Sequence, residues 1–256
     1  MRLSVALASA IACFLPALSP AEPNVTIRTP AVLSPVPAAP KSLQQAPALS
    51  LASQLAALAP GADPKVIDLA LKARECAIDN GDATGQGEKL AVIDYSMPST
   101  QKRLWIFDLK SPRVIYNEYV AHGQGSGENY ARAFSNNDGS HQTSLGLFRT
   151  AETYVGNNGY SLRMDGLDKG FNDNARSRAI VMHGAWYVDA SMARKMGRIG
   201  RSHGCPAVRA DIAHEIIDTL KGGQFVFSYY PDNKWLHESR ILACASRHDR
   251  TIVASR

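Results

Sequence analysis

From residue 90 onward the chain is a succession of short β-prone runs parted by turn residues, and this pattern narrows the fold more than any other. Leu90 to Tyr95, Arg103 to Leu109 and Val114 to Val120 are rich in branched and aromatic side chains, which favour extended backbone. Ser111-Pro112 parts the second run from the third, as a hairpin turn would. Residues 121–143, rich in Gly, Ser, Asn and His, read as a loop. Further strands are expected near Ser144 to Thr150, Ser161 to Met164, Ala179 to His183 and Gln224 to Tyr230. A helix is expected from Asp211 to Lys221, where Ile212, Ile216, Ile217 and Leu220 share a face and Gly222 is the stop. The tail, residues 233–256, has weak periodicity and yields no element.

The first part of the chain reads differently. Arg2, the apolar run Leu3 to Leu15 and the small residues Ser19-Pro20-Ala21 fit a signal peptide over residues 1–21. The run is too short to span a bilayer, so no membrane span is expected once the signal is removed. Residues 22–48 form a Pro/Ala-rich linker, because six prolines fix backbone angles and remove donors. Residues 49–85 read as a helical segment packing on the core. Leu49 to Leu58 is short. Pro64 to Asn80 has Asp63 as cap, Pro64 in its first turn and Gly81 at its exit. Val66, Ile67, Ala70, Ala73 and Ala77 fall on one face, a packing stripe.

With 45% hydrophobic and 20% charged residues among 256, an ordinary globular core is expected. The net charge of +5 serves equally as a solubility feature or as attraction to an anionic partner. There is no basic helix and no aromatic-glycine RNA-binding pattern, so no nucleic-acid partner is expected. Removing the signal leaves Cys76, Cys205 and Cys244. An odd count in an exported chain implies a free thiol or an intermolecular bond. The economical arrangement leaves Cys205 free, with the other two either paired or both inert.

Cys205 lies in Gly-Arg-Ser-His-Gly-Cys-Pro-Ala-Val-Arg, residues 200–209. That context suits a tight turn and not a core strand or helix. Arg194, Lys195, Arg198, Arg201 and Arg209 are expected to lower the thiol's pKa if they approach it. Gly204 lets the backbone turn sharply, so that amides there can hold an oxyanion. His183 closes the apolar run Ala179 to Met182 and is placed to act as base, with Gly184 leaving space for a substrate backbone. His203 ranks below it, as a second base or substrate contact. His122-Gly123 repeats the His-Gly pair at another strand end, which makes His122 a candidate for the site wall.

Taken together, these pieces resemble the murein L,D-transpeptidase catalytic domain family, the YkuD type. The resemblance rests on His183-Gly184 and on Ser202-His203-Gly204-Cys205, with Asp94-Tyr95-Ser96, Arg103-Leu104-Trp105, Phe134-Ser135-Asn136 and Tyr154-Val155-Gly156 as further pieces. It implies an α+β, mainly β fold: a compact β-sandwich or barrel with a few flanking helices, over residues 86–232. It implies that Cys205 attacks a carbonyl of a peptidoglycan stem tetrapeptide, D-alanine leaves, and the acyl group passes to an amine. His183 would be the base, and the Gly204 and Cys205 amides the oxyanion hole. Peptidoglycan stem peptides would be the partners, and the location would be exported, periplasmic or cell-wall associated. No metal and no organic cofactor is implied. Ala207 stands where the family usually has an arginine, so Arg201 and Arg209 are the candidates for the substrate carboxylate. Ser202, His203, Tyr187 and His122 complete the expected substrate-binding set. The rival expectations are an L,D-carboxypeptidase or cross-link hydrolase using the same acyl-enzyme, a zinc site built from His183, His203 and Cys205, and a non-catalytic cell-wall-binding protein.

Overall fold

The computed structural model describes residues 49–82 and 87–246. The expected signal peptide and the whole of the expected linker lie outside the described residues, as does the end of the tail from residue 247. Two helices come first. Ser50 caps α1 (Leu51–Leu58) through its hydroxyl, and Asp63 caps α2 (Pro64–Asp79), its carboxylate accepting the Lys65 amide at 2.8 Å. The expected stripe on α2 is buried, Val66 through Ala77.

Among the described residues nine strands follow in one sheet: β1 (Lys89–Asp94), β2 (Leu104–Asp108), β3 (Arg113–Glu118), β4 (Val120–Ala121), β5 (Gly146–Gly156), β6 (Gly159–Gly166), β7 (Val181–Ala185), β8 (Ala207–Arg209) and β9 (Phe225–Tyr229). Their spatial order is β3-β2-β1-β9-β5-β6-β7-β8-β4. The β1–β9 and β7–β8 pairs are parallel and the other pairs antiparallel.

One detail of this order fixes the shape. β3 and β4 lie at opposite ends of the sheet, yet only Tyr119 separates them in sequence. A single residue advances the chain by about 3.5 Å. The sheet must therefore curl until its edges meet, giving a nearly closed barrel. Arg103 stitches that seam from the start of β2: its Nε and Nη2 donate to the Val120 carbonyl at 3.2 and 3.0 Å. The α+β, mainly β class expected from the sequence is the one observed.

Alternation along the strands divides the core into two layers. Leu90, Val92, Trp105, Phe107, Phe225 and Phe227 face one layer, with the buried stripe of α2. Ala91, Ile93, Leu104, Ile106 and Val226 face the other, with Ile216, Ile217 and Leu220 of α4 (Ala213–Leu220).

The structure departs from expectation in four places. The run Val114–Val120 breaks into β3 and β4, because the chain changes sheet edge at Tyr119. The helix α3 (Ala190–Met196) was not foreseen, although Asp189 caps it and Gly197 ends it at a left-handed φ of 68°. β8 is too short to announce itself. The tail is also structured: α5 (Asn233–Glu238) and a helical stretch over 240–246 bury Trp235, Ile241 and Leu242 in the first layer. Both are shorter than a reliable periodicity window. Cys244 in that stretch is disulfide-bonded to Cys76 on α2, which resolves the alternative left open by the sequence. Among the described residues no helix is long and apolar enough to cross a membrane.

Candidate active site

Cys205 ends a turn that feeds β8, which runs parallel to β7 with Ala207 opposite His183. The sulfur rests against the start of β7. The Val181 amide donates to Sγ at 3.5 Å, and the thiol donates to the Ala179 carbonyl at 3.7 Å. His183 lies two residues along β7 from Val181, hence on the same face of the strand. Its Nδ1 hydrogen bonds the Gly184 carbonyl at 2.9 Å, so Nδ1 carries the proton and Nε2 keeps its lone pair. The sulfur's hydrogen bonds run to Val181 and Ala179 and not to the imidazole.

The charge state differs from the expectation of a thiol already acidified by nearby arginines. Cys205 is only 9% exposed. Burial pushes its thiol up, and the Val181 amide and the Arg178 charge pull less strongly the other way. Burial also pushes His183 down, against the pull of the Gly184 carbonyl. Each group is thus biased toward its neutral form.

The expected arginines are occupied elsewhere. Arg201 pairs with Glu128 at 2.8 Å and donates to the Gly127 carbonyl at 2.9 Å. Arg209 pairs with Glu118 at 3.0 Å and Asp211 at 2.8 Å. Arg198 also pairs with Glu128. The expectation that Arg201 or Arg209 receives a substrate carboxylate therefore meets guanidiniums already neutralised by carboxylates. The cation that bears on the sulfur is Arg178, distant from Cys205 along the chain and brought near it by the start of β7.

The turn is fastened by Ser202. Its hydroxyl accepts the Gly204 amide at 3.1 Å and donates to the Cys205 carbonyl at 2.6 Å. Ser202, expected among the substrate-binding residues, is buried, and its hydroxyl shapes the turn. The Gly204 amide, expected as an oxyanion donor, is consumed by this bond, while the Cys205 amide has no partner among the described residues. Gly204 adopts φ 123°, and a Cβ there would stand 2.9 Å from the Gln142 carbonyl oxygen; only glycine fits. Gly184 is required by packing, not by substrate: a Cβ would meet that of Ala213 at 2.7 Å.

The remaining candidates separate. His203 is exposed on the turn and stacks on His141 at 4.4 Å, a partner from the 121–143 loop that no sequence signal had marked. Tyr187 is half-buried, and burial followed by the charge of Cys205 pushes its hydroxyl up to about 12, which places it within the sulfur's field and keeps it a donor. Trp186 beside it is 77% exposed. His122, expected in the site wall, is fully buried. Arg103 Nη2 donates to its Nδ1 at 2.7 Å, and its Nε2 donates to the Gly127 carbonyl at 3.2 Å. It braces the barrel seam and the start of the loop. Among the described residues no three His, Cys, Asp or Glu side chains converge as metal ligands, so His183, His203 and Cys205 do not form the donor set that a zinc site needs.

The described chain is a nearly closed β domain with a free thiol on a glycine turn that feeds β8 and an imidazole on the adjacent strand β7. Residues 58–229 match the model of the L,D-transpeptidase catalytic domain, and the chain belongs to that family. Solved structures with partial likeness include the LD transpeptidase LdtMt1 in complex with imipenem, at 14% identity and a TM-score of 0.33, covering 55% of this chain and 58% of that one. An L,D-transpeptidase from Mycobacterium smegmatis gives 14% identity and 0.34, covering 56% and 59%. One from Stackebrandtia nassauensis gives 14% and 0.33, covering 72% and 90%. The chain thus spans less than two thirds of the first two structures. No curated protein matches it.

Proposed function

We propose that this chain is an exported, cysteine-dependent peptidoglycan L,D-transpeptidase that forms an acyl-enzyme on Cys205. The observation that carries the proposal is the sulfur held at the start of β7, with His183 two residues further on and its Nδ1 proton fixed on Gly184. Family membership adds the substrate class, peptidoglycan stem peptides.

Because both groups rest neutral, the proton moves with the attack and not before it. His183 Nε2 takes the thiol proton as Sγ bonds to the stem-peptide carbonyl carbon. The oxyanion receives the Cys205 amide, with the Tyr187 hydroxyl as second donor. The imidazolium returns the proton to the leaving amine, D-alanine departs, and a thioester remains. An acceptor amine then attacks, gives its proton to His183, and the thiol is regenerated. The exposed His203 is the substrate contact on the turn. In this arrangement Ser202 and Gly204 set the shape of the turn and do not touch substrate.

Residues 1–21 are proposed as the export signal, 22–48 as a tether, and 86–232 as the catalytic domain, braced by residues 49–85. The Cys76–Cys244 disulfide supports a periplasmic or cell-wall location, since such bonds persist in oxidising compartments.

The test is intact-mass analysis after incubation with a carbapenem, followed by peptide mapping. One adduct on Cys205, absent in Cys205→Ala with its melting temperature retained, is expected. An adduct on another residue, or none, refutes the nucleophile.

A further inference from the structure

Arg178 stands apart from the other arginines near the turn. Its guanidinium forms no ion pair among the described residues, whereas Arg198, Arg201 and Arg209 each pair with a carboxylate. It spends its donors on neutral oxygens. Nη1 donates to the Ser135 carbonyl at 2.8 Å and to the Ser144 hydroxyl; Nη2 donates to the Gln142 carbonyl at 2.8 Å and the Ser140 hydroxyl at 3.2 Å. Four acceptors on one planar fork gather residues 135–144 into a fixed loop.

That loop is one wall of the cysteine turn. The Gln142 carbonyl held by Arg178 is the atom that a Cβ on Gly204 would meet at 2.9 Å. The residues directly after Arg178 hold the sulfur itself. Ala179 accepts from the thiol and Val181 donates to it. Ala179 does so at a left-handed φ of 52°, a conformation disfavoured for a non-glycine residue.

We infer that Arg178 is a positioning residue for the proposed acyl transfer: its fork clamps residues 135–144 against Gly204, and its charge, with no carboxylate partner among the described residues, favours the thiolate as it forms. The inference rests on Cys205 being the nucleophile. Other groups share this field. Tyr95 and Tyr187 lie within the sulfur's charge and stay protonated, and Asp138 acts on Arg178 from the loop. His183 completes the set from β7. Against the burial that disfavours a thiolate, the Arg178 charge acts in its favour.

The experiment is the rate of Cys205 alkylation by iodoacetamide against pH, which reads thiolate directly. Wild type, Arg178→Gln and Arg178→Lys are compared. Arg178→Gln removes the charge, so the alkylation midpoint should move to higher pH and the rate at pH 7 should fall about fivefold. Arg178→Lys keeps the charge and loses the fork. Its midpoint should stay with the wild type, while its plateau rate rises as the loop loosens. A merely structural role would change plateau rates and leave both midpoints in place, and that result overturns the inference. If Arg178→Gln does not fold, Arg178→Met, which also removes the charge, takes its place, and a midpoint equal to that of the wild type overturns the inference. Carbapenem adducts are measured on the same samples. Wild type without an adduct but with the Arg178→Gln midpoint shift refutes the acyl-transfer proposal and leaves Arg178's effect on the thiol standing.

Discussion

Lowering the pH from 7 to 5 should destabilise this fold through one imidazole. His122 is fully buried, with Arg103 donating to Nδ1 and Nε2–H donating to Gly127. Burial, then the Arg103 charge, pushes it down from 6.5 to about 4. Above pH 6.5 neither the folded nor the unfolded chain protonates this ring. Between 6.5 and 4 only the unfolded chain does, so stability falls as the pH falls. Below 4 both bind a proton and the loss levels off near 3 kcal/mol, at about 1.4 kcal/mol per pH unit. At pH 5 the loss is about 2 kcal/mol, or roughly 4–8 °C in melting temperature for a chain of this size. The control is His122→Gln, whose amide can still accept from Arg103 and donate to Gly127 but does not titrate. Urea melts at pH 7 and pH 5 give the difference for each protein. His183 and the carboxylates titrate in both proteins and cancel in the comparison. Wild type should lose about 2 kcal/mol more than the variant. Equal losses would show that the ring is protonated in the folded state at pH 5, and the seam argument would fail.

Two further outcomes are expected. Reduction of Cys76–Cys244, which spans 168 residues, should lower stability by up to about 5 kcal/mol on the chain-entropy account; a melting temperature unmoved by reductant, with both thiols shown free by mass, would contradict that. Ser202→Ala removes both bonds that fasten the cysteine turn and should cost about 1–3 kcal/mol in a urea melt while slowing carbapenem acylation. Wild-type acylation kinetics in that variant would mean the turn holds its shape without the hydroxyl.

Much of the fold was legible because strands and helices announce themselves through short-range rules. Runs of branched and aromatic residues marked β1, β2 and β9, and capping residues marked α2. The failures share a cause. β8 has three residues and α5 six, too few for a period to repeat. The break at Tyr119 reflects a change of sheet edge, which leaves no trace in composition. At the site, Gly204 and Cys205 were legible because glycine, serine and proline write a turn into a few consecutive residues. Arg198, Arg201 and Arg209, near Cys205 in sequence, pair with Glu128 and Glu118 instead, because neighbourhood in sequence does not set neighbourhood in space.

By itself, then, the sequence determined the strand runs, the thiol on its glycine turn and a histidine at a strand end, since backbone preference acts between residues a few positions apart. The closed sheet decided which charge the sulfur meets, which histidine is sealed inside, and that the two remaining cysteines join. Coulomb forces, burial and disulfide geometry depend on distance through space, and that distance is set only when β3 and β4 are carried to opposite edges and the barrel curls to bring them together.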